Sequence, residues 1–146
     1  MHTFTRAEWT VTMTDEQRAA RNAPHLENLP WVFRRKVKAI IAALEGWGWR
    51  PVIVESIRTV AEQQAKVDAG VSRTMKSKHL KQPDGCAHAV DMVCDGIWWN
   101  DGVPGFVPFA KMQANAARSF GCRSGYWFRG YHSVVHDFAH IQWDTA

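Results

Sequence analysis

Apolar residues recur along this chain at two different periods, and the switches between them mark out its elements. Phe33, Val37, Ile40, Ile41 and Leu44 fall three and four residues apart, the spacing of one helix face, with Asn28 and Pro30 as start signals and Gly46 as a stop. Phe109, Met112, Ala116 and Phe120 repeat that pattern ahead of Gly121. Thr14 with Gln17, and Thr59 with Glu62, are capping boxes; they predict a short first helix toward Arg21 and a later one stopped at Gly70. Between these, Pro24 to Pro30 reads as a connecting arm. Val52-Ile53-Val54 is a short buried run of strand type. Ala87 to Cys94 alternates with period two, which puts Ala89, Asp91 and Val93 on one face and His88, Val90, Met92 and Cys94 on the other. Ala139 to Trp143 reads as a closing strand with His140 and Gln142 on one side and Ile141 and Trp143 on the other. The expected fold is α+β, a small antiparallel sheet with helices packed against it.

Composition narrows the class. At 146 residues the chain suits one domain, able to bury about 68–70% of the surface its unfolded form exposes. No repeat, low-complexity tract or Gly/Ser-rich linker interrupts it, so residues 1–146 are expected to form a single domain, with an N-terminal helix and arm over 1–28. Three cysteines, Cys86, Cys94 and Cys122, are an odd number without a C-x-x-C pair, which fits a reduced compartment better than a disulfide scaffold. The opening MHTFTRAEWTVTMTDEQ lacks an apolar signal core, and no stretch approaches the roughly 20 apolar residues of a membrane span. Synthesis in the cytoplasm without membrane insertion is the expectation. A formal charge of +4 and a pI near 9.2 favour an anionic partner. The basic residues are dispersed, and the densest cluster, Arg34, Arg35, Lys36 and Lys38, falls on a predicted helix as a solvated face, so nucleic acid is not the expected partner. Most of the eight tryptophans read as core or rim packing, and two or three as lining for a groove.

The chemistry concentrates in two segments. SKHLKQPDGCAHAVDMV carries Ser77 and His79, with Asp91 twelve residues after His79; HDFAHIQW carries Asp137 three residues before His140. Two imidazoles and a carboxylate form a three-ligand shell that leaves zinc's fourth position open, as catalytic sites do and structural sites do not. A further carboxylate, Asp137, would act as base toward water there. Pro83-Asp84-Gly85 is turn chemistry, so Lys81 to Cys86 is expected to loop out and let His79 and Asp91 converge.

These segments resemble the zinc peptidases of bacterial cell walls: D-alanyl-D-alanine carboxypeptidases, vancomycin-resistance dipeptidases and phage L-alanyl-D-glutamate endolysins. The shared pattern is Ser-x-His, then Ala-Val-Asp, then an acid three residues before a final His; Ser-Ile-Arg-Thr and the following Gln extend it to positions 56 to 64. The resemblance implies the Hedgehog and D,D-peptidase-like fold, a zinc cofactor on His79, Asp91 and His140, a catalytic Asp137, and Arg58 near the scissile carbonyl. It implies substrate contacts from Ser77 and Gln64, and His132 and His136 are expected to line the same cleft as further substrate contacts. It also implies bacterial peptidoglycan as partner and hydrolysis of the L-alanyl-D-glutamate bond of the stem peptide during phage lysis. A monomer without a separate wall-binding module would be made in the host cytoplasm and reach the wall through a holin pore. A D-alanyl-D-alanine carboxypeptidase, and a non-catalytic zinc-containing wall-binding module, are the alternatives.

Two other metal readings compete. His136-Asp137-Phe138-Ala139-His140 imitates the H-E-x-x-H helix of other zinc proteases, but Val134, Val135, Ile141 and Trp143 favour strand, which would separate the two histidines. A Cys₃His set of Cys86, Cys94, Cys122 and His88 lacks a close cysteine pair, and small buried apolar residues are the plainer account.

Overall fold

A computed structural model of the chain describes residues 12–72, 74–128 and 137–144. The element order is α1 (Asp15–Glu27), α2 (Trp31–Gly46), β1 (Pro51–Glu55), α3 (Val60–Asp68), β2 (Ala89–Cys94), α4 (Phe106–Ser119), β3 (Arg123–Ser124) and β4 (His140–Gln142). The four strands form one antiparallel sheet in the order β1-β2-β4-β3. It is the α+β arrangement that the periodicities predict.

The helices begin where side chains can satisfy their first N–H groups. Thr14 and Thr59 each accept from the backbone N–H three residues on, and Gln17 and Glu62 return the bond, completing both capping boxes. Each cap is worth about 1 kcal/mol. The first helix, however, runs past Arg21 to Glu27 and takes Pro24 into its interior, where a connecting arm is expected from sequence. Proline's missing N–H and ring crowding weaken that turn, and tertiary bonds on either side of Pro24 compensate. Asn22 is buried and spans β1: its Nδ2 donates to the Pro51 carbonyl at 3.3 Å, and its Oδ1 accepts from the Ile53 N–H at 2.8 Å. One turn later His25 Nδ1 meets Ser56 Oγ at 2.8 Å.

Phe33, Val37, Ile40 and Leu44 all point from α2 into a core shared with Trp49, Val52, Ile53, Val90, Phe106, Phe109, Phe138 and Ile141. Burying each large side chain contributes about 1.5–3 kcal/mol. Both faces of β2 are covered, so of its six residues only Asp91 is partly open. Trp49 is buried against Phe109, while Trp143 stacks on Phe33. The basic run on α2 is less detached than a solvated face. Arg34 donates to the carbonyls of Glu27 and Leu29, and Lys36 Nζ donates at 2.8 Å to the Phe120 carbonyl beyond α4, so both tie down helix ends. Cys94 and Cys122 are buried, which pushes their thiols up to about 12 and about 11. Neutral at ordinary pH, they serve as small core residues. Among the described residues no helix is long and apolar enough to cross a membrane.

Candidate metal centre and active-site cleft

The sheet builds the centre by register. Asp91 on β2 stands directly opposite His140 on β4, and opposite Glu55 on β1, so all three share a row across the sheet. Glu55 reaches that row through an irregularity: the pairing passes from Ile53↔Met92 to Glu55↔Asp91 and leaves Val54 as an extra residue. Such a bulge re-aims a side chain next to a site. His79 arrives from outside the sheet. The next residue, Leu80, forms an isolated parallel bridge with Arg58, whose N–H donates to the His79 carbonyl at 2.8 Å. The loop between His79 and Asp91 closes as its turn residues predict. Gly85, at φ +85, donates to the Gln82 carbonyl, and Cys86 N–H donates to Asp84 Oδ1. His88 spends its Nε2 on Asp84 at 2.7 Å and packs beside Trp143.

Nε2 of His79 is 3.1 Å from Asp91 Oδ1, and Nδ1 of His140 is 3.5 Å from the same oxygen. The three residues are the group among the described residues whose donor atoms converge, all within 4.8 Å of one another. A tetrahedral ion with ligands at about 2.0–2.1 Å sets donors about 3.3–3.4 Å apart, so both measured separations suit one metal ion.

The opposite ring nitrogens strengthen the fit. His79 Nδ1 lies 2.7 Å from the Ser56 carbonyl, an acceptor that fixes its proton on that nitrogen and leaves the Nε2 lone pair facing the cluster. His140 Nε2 lies 2.9 Å from Gln142 Oε1, which does the same for Nδ1. Ser56 is in turn held by His25 and Asn28, so the end of α1 supports a donor it never touches. Gln142 bonds onward, its Nε2 donating to Asp144 Oδ1 at 2.8 Å, and Arg123 pairs with the other oxygen at 3.1 Å. Replacing Gln142 by Leu is therefore expected to weaken metal affinity about 10- to 100-fold with the fold intact, as loss of outer bonds to ligand histidines does. Competition with a chromogenic chelator measures it, and unchanged affinity would refute the role.

Charge in the cluster is coupled. Burial opposes ionisation of Asp91, but the neighbouring His79 and His140 overcome it and hold the carboxyl well below the usual range. Burial likewise opposes a charge on His140, yet the bond and charge of Asp91, with help from Gln142 and Asp137, raise its pKa above the ordinary 6.5.

The cluster opens into a cleft of about 680 Å³, lined among others by Lys66, Lys76, Lys78, Trp99, Phe128 and Asp137. Ser77 also lines it and accepts from the His79 N–H at 3.1 Å, which shapes the turn that presents the imidazole. Arg58 is buried at the cleft wall. Its guanidinium donates to Glu55 and Gln63, and its remaining edge faces Asp91 Oδ2 at 3.9 Å. The structure turns Gln64 away from the cleft, where it bonds Asp68 at 2.8 Å on the exposed side of α3. The amide at Arg58 belongs to Gln63, one residue earlier and fully buried, whose Nε2 also holds Ser72 and the Thr74 carbonyl. A shift of one residue turns a helical side chain by about 100°. His132 and His136, and with them the H-E-x-x-H alternative and Val134 and Val135, lie outside the described residues. The Cys₃His alternative fails on packing: Cys94 and Cys122 are core residues, and His88 is committed to Asp84.

A family model described as phage L-alanyl-D-glutamate peptidase matches residues 21–130. That span includes Arg58, His79 and Asp91 and stops short of Asp137 and His140. Among solved structures, the L-Ala D-Glu endopeptidase ChiX of Serratia marcescens shares the fold, with a TM-score of 0.62 and 23% sequence identity over 90% of this chain and 94% of that one. No curated protein matches the chain.

Proposed function

Because this chain belongs to the phage L-alanyl-D-glutamate peptidase family, we propose that it hydrolyses the L-alanyl-D-glutamate amide of bacterial peptidoglycan stem peptides with one zinc ion held by His79, Asp91 and His140. The observation that carries this reading is that the donor atoms of two oriented imidazoles and one carboxylate gather within 4.8 Å of one another in a cleft. Bound there, zinc would supply Lewis acidity and lower the pKa of water from 15.7 to about 7.

The remaining chemistry belongs to the side chains. Asp137, in the cleft close enough to His140 to influence its charge, accepts a proton from the attacking water and delivers it to the departing amine. Arg58, fixed on two sides by Glu55 and Gln63 with its third edge toward Asp91, keeps a preorganised cation beside the centre, where it favours the developing oxyanion. Lys66, Lys76 and Lys78 give the cleft a basic lining for the carboxylates of the stem. A second hollow of about 400 Å³ also has Phe128 in its lining and is proposed to hold the part of the stem beyond the cut. An endopeptidase needs such room, since its substrate continues on both sides of the cut. The described residues share one core and are proposed to work as a single catalytic domain, acting as a monomer on the wall after release through a holin pore.

Mass spectrometry of digested peptidoglycan tests the bond. Fragments are expected to carry new N-terminal glutamate and to leave lactyl-L-alanine on the sugar. Free D-alanine without new glutamate termini would establish a carboxypeptidase instead.

A further inference from the structure

The short segment after β3 bears directly on Asp137. Ser124 sits opposite Ile141 of β4 and caps the 3-10 turn Gly125–Trp127, its Oγ accepting from the Tyr126 N–H at 3.1 Å. That pairing brings Gly125, which is buried, against the residues that lead into β4. A Cβ at position 125 would stand 2.1 Å from the main-chain oxygen of Asp137, 2.8 Å from its Cγ and 2.9 Å from its Oδ2. Carbon contacts are comfortable only at about 3.5–4.0 Å, so even one methyl group has no space. Gly125 is not among the glycines with positive φ, and its backbone would accept an L side chain. Close approach, not chain conformation, is what requires glycine here.

We propose that Gly125 is a positioning residue for Asp137, whose carboxylate rests against the bare Gly125 backbone and is held there in line with the cleft. The proposal rests on the reading of Asp137 as proton acceptor. A side chain at 125 displaces both the Asp137 backbone and its carboxyl group, and a misplacement of about 1 Å is enough to cost about 10²-fold in rate.

The test compares the zinc-loaded full chain with Gly125→Ala, Asp137→Ala and the double variant, measuring kcat, KM and zinc content on solubilised peptidoglycan. Gly125→Ala is expected to lose about 10²-fold in kcat with KM and zinc content unchanged, and the double variant to be no slower than Asp137→Ala alone. A Gly125→Ala protein within about threefold of the parent overturns the proposal, as do losses that multiply in the double variant. Loss of zinc or of the folded circular-dichroism spectrum in Gly125→Ala also overturns it, because the glycine would then be supporting the tail strand as a whole. Parental activity in Asp137→Ala removes the premise and the proposal together. An inactive Asp137→Ala beside an active Gly125→Ala removes the proposal alone.

Discussion

Replacing His140 by Ala is expected to remove tight metal binding and hydrolysis together, and His79→Ala to do the same. Each substitution takes one of three donors that converge within 4.8 Å, and leaves Asp91 beside a single imidazole. Two ligands do not hold zinc against water in the way that three do. Elemental analysis of the purified variants checks this, and full zinc occupancy in either would refute the ligand set. The pH dependence supplies a second check. In the metal-free protein the raised pKa of His140 contributes stability that is complete below its ordinary 6.5 and fades as pH rises through the higher folded value. The depressed pKa of Asp91 contributes stability that is complete above its ordinary 3.8 and fades as pH falls through the lower folded value. The cluster therefore stabilises the metal-free fold most between 3.8 and 6.5. Metal requires neutral imidazoles and displaces those protons. Added zinc should raise the unfolding temperature more at pH 8 than at pH 5.5, and the opposite order would contradict the assignment.

Asp137→Ala is expected to retain zinc and lose about 10²- to 10⁴-fold in kcat, the range that a general base contributes. The side chain is half-buried in the cleft wall, three residues before His140, and its charge reaches that ring without its being one of the converging donors. Metal content and turnover should therefore separate in this variant, whereas they fall together in His140→Ala. A variant with zinc and near-parental turnover would pass the role of base to another group.

Much of this was legible in the chain. The run of Phe33, Val37, Ile40 and Leu44 is a local period, and the two capping boxes are contacts between residues three apart, so sequence spacing alone specifies them. The same holds for the loop at Pro83-Asp84-Gly85, and for the parity that puts His140 and Gln142 on one side of a strand. The ordered motif placed His79, Asp91, Asp137 and His140 in one reading because their order survives folding.

What the chain could not disclose depends on partners remote in sequence. Pro24 lies inside a helix because Asn22 and His25 bond to β1 and Ser56, residues 31 positions away. Gln63 rather than Gln64 serves Arg58 because the packed face of α3 decides which amide is buried. Glu55 joins the row of Asp91 and His140 only through an extra residue in the pairing, which no period-two pattern announces. The tautomers of the two imidazoles depend on an acceptor supplied by Ser56 in one case and by Gln142 in the other. Sequence thus determined most of the elements, though not the full length of α1 or the short β3, and the residue types of the centre, since these follow from short-range periodicity and chemical identity. Only the tertiary structure decided the distances, proton positions and close approaches, because these arise where segments far apart in the chain are pressed together.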